Sequence, residues 1–279
     1  MSGGEAIGGK PPIRYYISRI IFAGIVLITC SWVLLPIIMS ILYAFSTPKD
    51  FYSPTEVIPL HYTFANIKKL LDLGAAQATM NSVIVACMTV AFSFILGLPA
   101  GYAFARFAFK GKDSLKLLII GLRMFPMLII AVPLVTLYIR LGLNDTLLGV
   151  ALAHTTMSLP FVILITSSIF VSVPIELEEA AFVFGLDRTQ TFFRITLPLA
   201  LPGLTAAAIF TFIMSWNEVF MAAVLTLTNR TLPAFILTSA MAAPDFIKFA
   251  ASFIMILPAL IFVFIARKYL ISMWGITIK

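Results

Sequence analysis

Six long apolar stretches dominate the chain: residues 20–45, 81–105, 117–139, 146–170, 203–225 and 250–266, the last running on to Leu270. Two of them carry a charge, Arg123 in the third and Glu218 in the fifth. A bilayer core asks for about 20 apolar residues as helix. The pattern therefore predicts an all-α integral membrane protein with six transmembrane helices. Between them lie a polar segment at 46–80, long enough for short surface helices, a basic turn at 110–116 and a short link at 140–145. Two longer excursions follow. Residues 171–202 read as a long loop, and residues 226–248 are apolar but broken by Asn229, Pro233 and Pro244. The excursion at 226–248 is open to three readings: contact with a solute-binding protein, a dip into the pathway, or a re-entrant cap. The first stretch has 26 residues, well beyond a signal-peptide core of about 7–15, so it reads as a retained span. The glycine-bearing start, residues 2–10, reads as a flexible tail.

Composition sharpens this picture. Hydrophobic residues make up 61% of the chain and charged residues 11%, against roughly 25% charge in a soluble domain. A soluble enzyme and a free nucleic-acid binder are excluded. The net charge of +7 sits beside the apolar runs, so the basic residues read as topology signals rather than a nucleic-acid footprint. With the N-terminus inside, the inside segments hold 12 Lys and Arg and the outside segments 6. That bias predicts both termini in the cytoplasm. Cys30 and Cys87 lie within apolar runs and suggest neither a disulfide nor a metal site. No phosphate-binding glycine loop or zinc motif is present, so no cofactor is expected on this chain.

The loop at 171–202 reads as helix, turn, helix. Pro174 suits a first helical turn, and Glu176, Glu178 and Glu179 place acids near its N-terminus. Leu177, Ala181 and Phe184 are spaced as one apolar stripe. Gly185 suits a left-handed helix end. Asp187 with Gln190 reads as a capping box, opening a second helix that Pro198 is expected to stop, with Pro202 opening the next span. The knob this predicts, with its small pair Ala180-Ala181 and sharp break, suits a protein groove better than a lipid surface.

Glu179-Ala180-Ala181, Gly185, Ile195 and Leu197-Pro198 together match the spaced pattern EAA-x3-G-x9-I-x-L-P. In this the chain resembles the permease subunits of binding-protein-dependent ABC importers. Met124-Phe125-Pro126, Val132-Pro133-Leu134, the run from Leu141 to Thr146 and Ser215-Trp216-Asn217-Glu218 resemble the sugar branch, that of the maltose, trehalose and glycerol-3-phosphate systems. Phe184 departs from the family, which usually has Asp before the loop glycine; Asp187 is the nearest replacement.

The resemblance implies a type I importer permease fold. It divides the chain into 1–76 (tail, first span and external loop), 77–270 (the transmembrane domain) and 271–279 (a cytoplasmic tail). Glu179 to Gly185 would form a coupling helix docked on a cytoplasmic ATPase, with Ile195, Leu197 and Pro198 anchoring it. ATP and Mg would be used by the ATPase subunits. The other implied partners are a second permease, an extracytoplasmic solute-binding protein and a sugar substrate, all at the plasma membrane.

Ionisable groups inside spans are expensive in lipid and should face protein or water. At about 1.5 Å per residue, Arg123 lies about 10 Å from the cytoplasmic face and Glu218 about 23 Å, too far apart for a direct pair. His154 lies about 12 Å from the opposite face, which allows it to share a level with Glu218. Two readings stay open for Glu218, Asn217 and His154: they line the substrate pathway, or they hold helices together. Trp216 is a further pathway candidate. Arg123 is expected to snorkel, and Pro126, Pro133 and Pro160 to kink their spans. The competing functions are an ABC permease for glycerol-3-phosphate, a polyamine or another small solute, and an ion-coupled secondary transporter.

Overall fold

The structure is a computed structural model that describes residues 13–240 and 243–273. The expected flexible start at 2–10 lies outside the described residues, as do residues 274–279 of the expected C-terminal tail. Helices make up the architecture, and no strand occurs among the described residues. In order they are α1 (Ile13–Ala44), α2 (Pro48–Phe51), α3 (Ala65–Leu70), α4 (Ala76–Arg106), α5 (Lys112–Leu122), α6 (Met127–Arg140) and α7 (Leu147–Ser172). The second half comprises α8 (Ile175–Val183), α9 (Arg188–Thr191), α10 (Leu197–Trp216), α11 (Phe220–Leu225), α12 (Leu232–Phe235) and α13 (Asp245–Met273).

Four segments are long and apolar enough to cross a membrane: Tyr15–Ala44, Ala65–Arg106, Leu147–Ser172 and Arg188–Trp216. The third predicted span is interrupted where Pro126 is expected to kink it. It is broken into α5 and α6, bent by 87°. Pro126 explains the break: it disfavours helical backbone at the residue before it and itself caps α6 in an extended conformation. Among the described residues the tally is four spans, or five with the bent pair. The sixth stretch lies within α13, a single helix of 29 residues with Pro258 inside it.

The centre of the bundle is α4 running alongside α7. The two can approach because α4 presents small residues to its neighbour, as membrane helix interfaces favour. Ser93 Oγ lies 2.7 Å from Ser158 Oγ, and Thr166 donates to the Gly97 carbonyl at 3.3 Å. At Gly101 an added Cβ would collide with Thr166 Oγ1, so glycine is required there. α10 packs on both helices, and α13 packs on α10 and α1. By contrast, residues 15–36 of α1 are all exposed, an apolar surface suited to lipid.

Within the excursion at 226–248, residues 231–235 fold into the bundle rather than out of it. Leu232, Pro233, Ala234 and Phe235 are buried. The Leu232 amide donates to Ser82 Oγ at 2.7 Å, and Asn81 donates to the Arg230 carbonyl at 3.0 Å.

Candidate functional site

The loop between α7 and α10 forms a knob at one end of the bundle. α7 ends at Ser172, and Pro174 caps α8 with a φ of −56°. Gly185, at φ +85°, ends α8. Its amide donates to the Phe182 carbonyl at 3.0 Å, and the Leu186 amide to the Ala181 carbonyl at 3.1 Å. This is the paired closure of a Schellman turn, which needs a left-handed residue at this position. Asp187 then starts α9 with both bonds of a capping box. The Gln190 amide donates to Asp187 Oδ1 at 2.7 Å, and the Asp187 amide to Gln190 Oε1 at 3.3 Å.

Two expectations for this loop are corrected. The first is the apolar stripe Leu177–Ala181–Phe184. Phe184 is 84% exposed and Leu177 is also exposed. The buried face of α8 is instead Glu178 and Ala181. The second is the stop at Pro198. The chain passes from α9 through one wide turn of π-helix, Phe192–Thr196, straight into α10. Pro198 is the second residue of α10, directly after that wide turn, where its missing N–H does not end the helix.

Of the predicted coupling residues, Glu179, Ala180, Gly185 and Pro198 are exposed, Ala181 is buried, and Ile195 and Leu197 are half-buried. Val183 and Phe184 leave bare apolar surface at the tip, 86% and 84% exposed. Asp187 is occupied in capping α9 and makes no contact in place of the missing acid at position 184.

A residue read from the sequence as one of three acids near the helix N-terminus holds the knob in place. Glu178 is buried, and its Oε1 accepts from Arg106 Nε and Thr196 Oγ1, each at 2.8 Å. Its Oε2 accepts from the Tyr102 hydroxyl at 2.8 Å. Arg106, itself buried against the pair, donates from Nη2 to the Val173 carbonyl at 2.8 Å. One carboxylate thus joins the end of α4 to α8 and the turn entering α10, while its arginine reaches the end of α7. Isolated buried charges are costly; here every carboxylate oxygen is bonded.

The second cluster lies where α10 ends. Glu218 follows the helix end and caps α11, accepting from the amides of Met221 at 3.0 Å and Ala222 at 3.2 Å. The His154 ring lies between Glu218 Oε2, 3.0 Å from Nε2, and Ser215 Oγ, 2.8 Å from Nδ1. Ser215 continues to Thr89 at 3.3 Å. His154 and Glu218 therefore do share a level. Beside them is a cavity of about 20 Å³, lined by His154, Met157, Ser158, Met214, Ser215 and Glu218. It holds about one water and no sugar ring.

Trp216 is packed inside the bundle. It is 1% exposed, stacks on Phe212, and donates from its indole to the Met255 carbonyl at 3.1 Å. Asn217 is the exposed member of the four candidates. Its amide folds back onto the Ile213 carbonyl at 3.0 Å. Arg123 sits at the α5–α6 break with its guanidinium 3.2 Å above the Phe161 ring, a cation–π contact with α7.

Comparison with known proteins fixes the class. Residues 94–272 match the family described as binding-protein-dependent transport system inner membrane component. The chain belongs to that family and is a multi-pass membrane protein of transport systems. Among its relatives is the trehalose transport system permease protein SugB of Mycobacterium tuberculosis, 33% identical over 81% of this chain and 84% of its own length. The diacetylchitobiose uptake system permease protein DasC of Streptomyces coelicolor is 32% identical over 81% of this chain and 84% of its own. Among solved structures, a bacterial ABC transporter that imports the acidic polysaccharide alginate superposes with a TM-score of 0.77. That match covers 94% of this chain and 99% of the other, at 20% identity. The fold is that of an ABC importer permease.

Proposed function

We propose that this chain is a permease subunit of an ATP-driven importer, forming with a second permease the path for a sugar handed over by a solute-binding protein. It crosses the membrane six times with both termini in the cytoplasm. Hydrolysis of ATP with Mg belongs to separate ATPase subunits. The observation that carries the reading is the knob itself. It bears the complete EAA-to-LP pattern, ends in bare apolar surface at Val183 and Phe184, and is bonded to the bundle from beneath.

Glu179, Ala180 and Gly185 face the ATPase cleft, where the alanine permits close approach. Ala181, Ile195, Leu197 and Pro198 seat the knob on the spans. ATP-driven closure of the ATPases moves the knob and shifts the pair of permeases between inward and outward states. The sugar assignment draws on the names of the relatives. Within the path, Asn217 is the available contact, and His154 and Glu218 hold the wall behind it.

The test is affinity purification of the tagged chain in mild detergent, followed by uptake of radiolabelled trehalose and diacetylchitobiose into proteoliposomes. The expected result is co-purification of an ATPase, a second permease and a binding protein, with ATP-dependent uptake. Solute transport by the chain alone, without ATP, would overturn the reading in favour of an ion-coupled transporter.

A further inference from the structure

Resting on the importer reading above, we infer that Glu178 and Arg106 are positioning residues: their ion pair is the joint that carries movement of the coupling knob into α4, α7 and α10. α8 is a nine-residue helix that buries two side chains, Glu178 and Ala181. Ala181 offers one methyl group of packing. A force applied at the tip would swing so lightly packed a helix about its ends unless something directional held it.

Glu178 supplies that hold. Its three side-chain donors come from α4 (Tyr102 and Arg106) and from the turn continuous with α10 (Thr196). Arg106 extends the hold to the α7 end through the Val173 carbonyl. Charge-assisted hydrogen bonds of this kind are short and directional, so the knob cannot rotate without breaking several at once. A buried pair adds little net stability, and its best-attested value is in fixing geometry. The joint lies beneath the knob, away from the exposed tip, so its removal leaves the docking surface chemically intact.

The experiment uses the whole complex with its ATPases. Cys30 and Cys87 are replaced by Ala, and spin labels are placed at Glu176→Cys on α8, two turns from the tip, and Leu96→Cys on the exposed side of α4. The label-to-label distance is measured without nucleotide and with Mg-ATP plus vanadate. With the native pair, a narrow distribution that is unchanged between the two states is expected, because α8 and α4 move as one body. Glu178→Ala should broaden the distribution and shift it on trapping, while basal ATP hydrolysis by the purified complex persists. Arg106→Lys should restore part of the narrow component relative to Arg106→Ala.

A second variant, Tyr102→Phe with Thr196→Val, removes two of the bonds and keeps the ion pair. It should give intermediate broadening, and it provides the readout should Glu178→Ala fail to assemble. Distributions in these variants indistinguishable from the native pair would overturn the joint and leave the importer reading standing. A native chain that brings down no ATPase would overturn both.

Discussion

The two ends of the bundle satisfy their buried or loop carboxylates in different ways. At the knob, Glu178 is held by side chains: Arg106, Tyr102 and Thr196. At the other end, Glu218 is held by two backbone amides and His154, and Asp145 by the amides of Leu227, Thr228 and Asn229 with the Thr228 hydroxyl. A backbone-built grip does not depend on which side chains its donors carry and survives most substitutions around it. A side-chain grip depends on a few particular residues, and a single substitution can dismantle it. The end expected to receive mechanical input is thus the end whose connection rests on specific side chains.

The largest effect should come from breaking the side-chain end. Glu178→Ala or Arg106→Ala leaves a buried charge without its partner and should cost about 3–5 kcal/mol, read by thermal unfolding in detergent. Replacing both by Met should recover much of that loss, since an apolar pair of similar volume often matches a buried ion pair. Equal losses in the singles and the double would erase the distinction between the two ends.

At the opposite end, His154→Ala and Glu218→Ala should be non-additive, with a coupling energy of about 0.5–3 kcal/mol. Each also bonds elsewhere, to Ser215 and to the α11 amides, so the double should cost less than the summed singles. Additive losses would mean that the shared bond contributes nothing and that the backbone alone fixes this junction.

Gly185→Val tests the knob without touching its tether. No atom lies within 4 Å of a Cβ built there, so the cost is backbone strain at positive φ, about 1–2 kcal/mol. Uptake should fall while ATP hydrolysis continues, and Gly185→Asn should be milder because Asn tolerates this conformation. Normal coupled uptake in the valine variant would count heavily against docking through this turn.

Local chemistry was legible before the structure. Uninterrupted apolar runs located α1, α4, α7 and α10, and Asp187, Gln190 and Gly185 announced the cap and turn of the knob. The rest depended on distance along the chain. Apolar spacing placed Phe184 inward, yet α8 turns Glu178 inward because its charge finds Arg106, 72 residues away. No periodicity within the loop encodes that. Trp216 was a pathway candidate, but its indole partner is the Met255 carbonyl on α13. Pro126 suggested a kink and the chain does break there, but the size of the bend, 87°, was not readable from the proline alone. One signal was readable and carried more than it was given: Ser93, Gly97 and Gly101 recur every fourth residue, marking the face on which α7 lies.

The smallest effect is expected at Asp145, and its pH dependence tests the backbone-built end most directly. Asp145 holds φ +55°, and its amide donates to the Leu225 carbonyl at 2.9 Å. Partial burial raises its pKa, but the Thr228 hydroxyl and three amides outweigh that, taking it from 3.8 to about 2. Because the folded value is depressed, the stabilisation is complete above the unfolded value of 3.8 and is lost as pH falls through about 2. Asp145→Asn keeps an acceptor for the amides and tolerates the positive φ, so it isolates the charge. The site is open to solvent and screened, so the native chain should melt only about 1–2 °C above the variant near neutral pH. That gap should close as the pH is lowered from 3.8 toward 2. A gap that persists unchanged across this range would show that the amides hold the loop by shape alone and that charge plays no part at this end of the bundle.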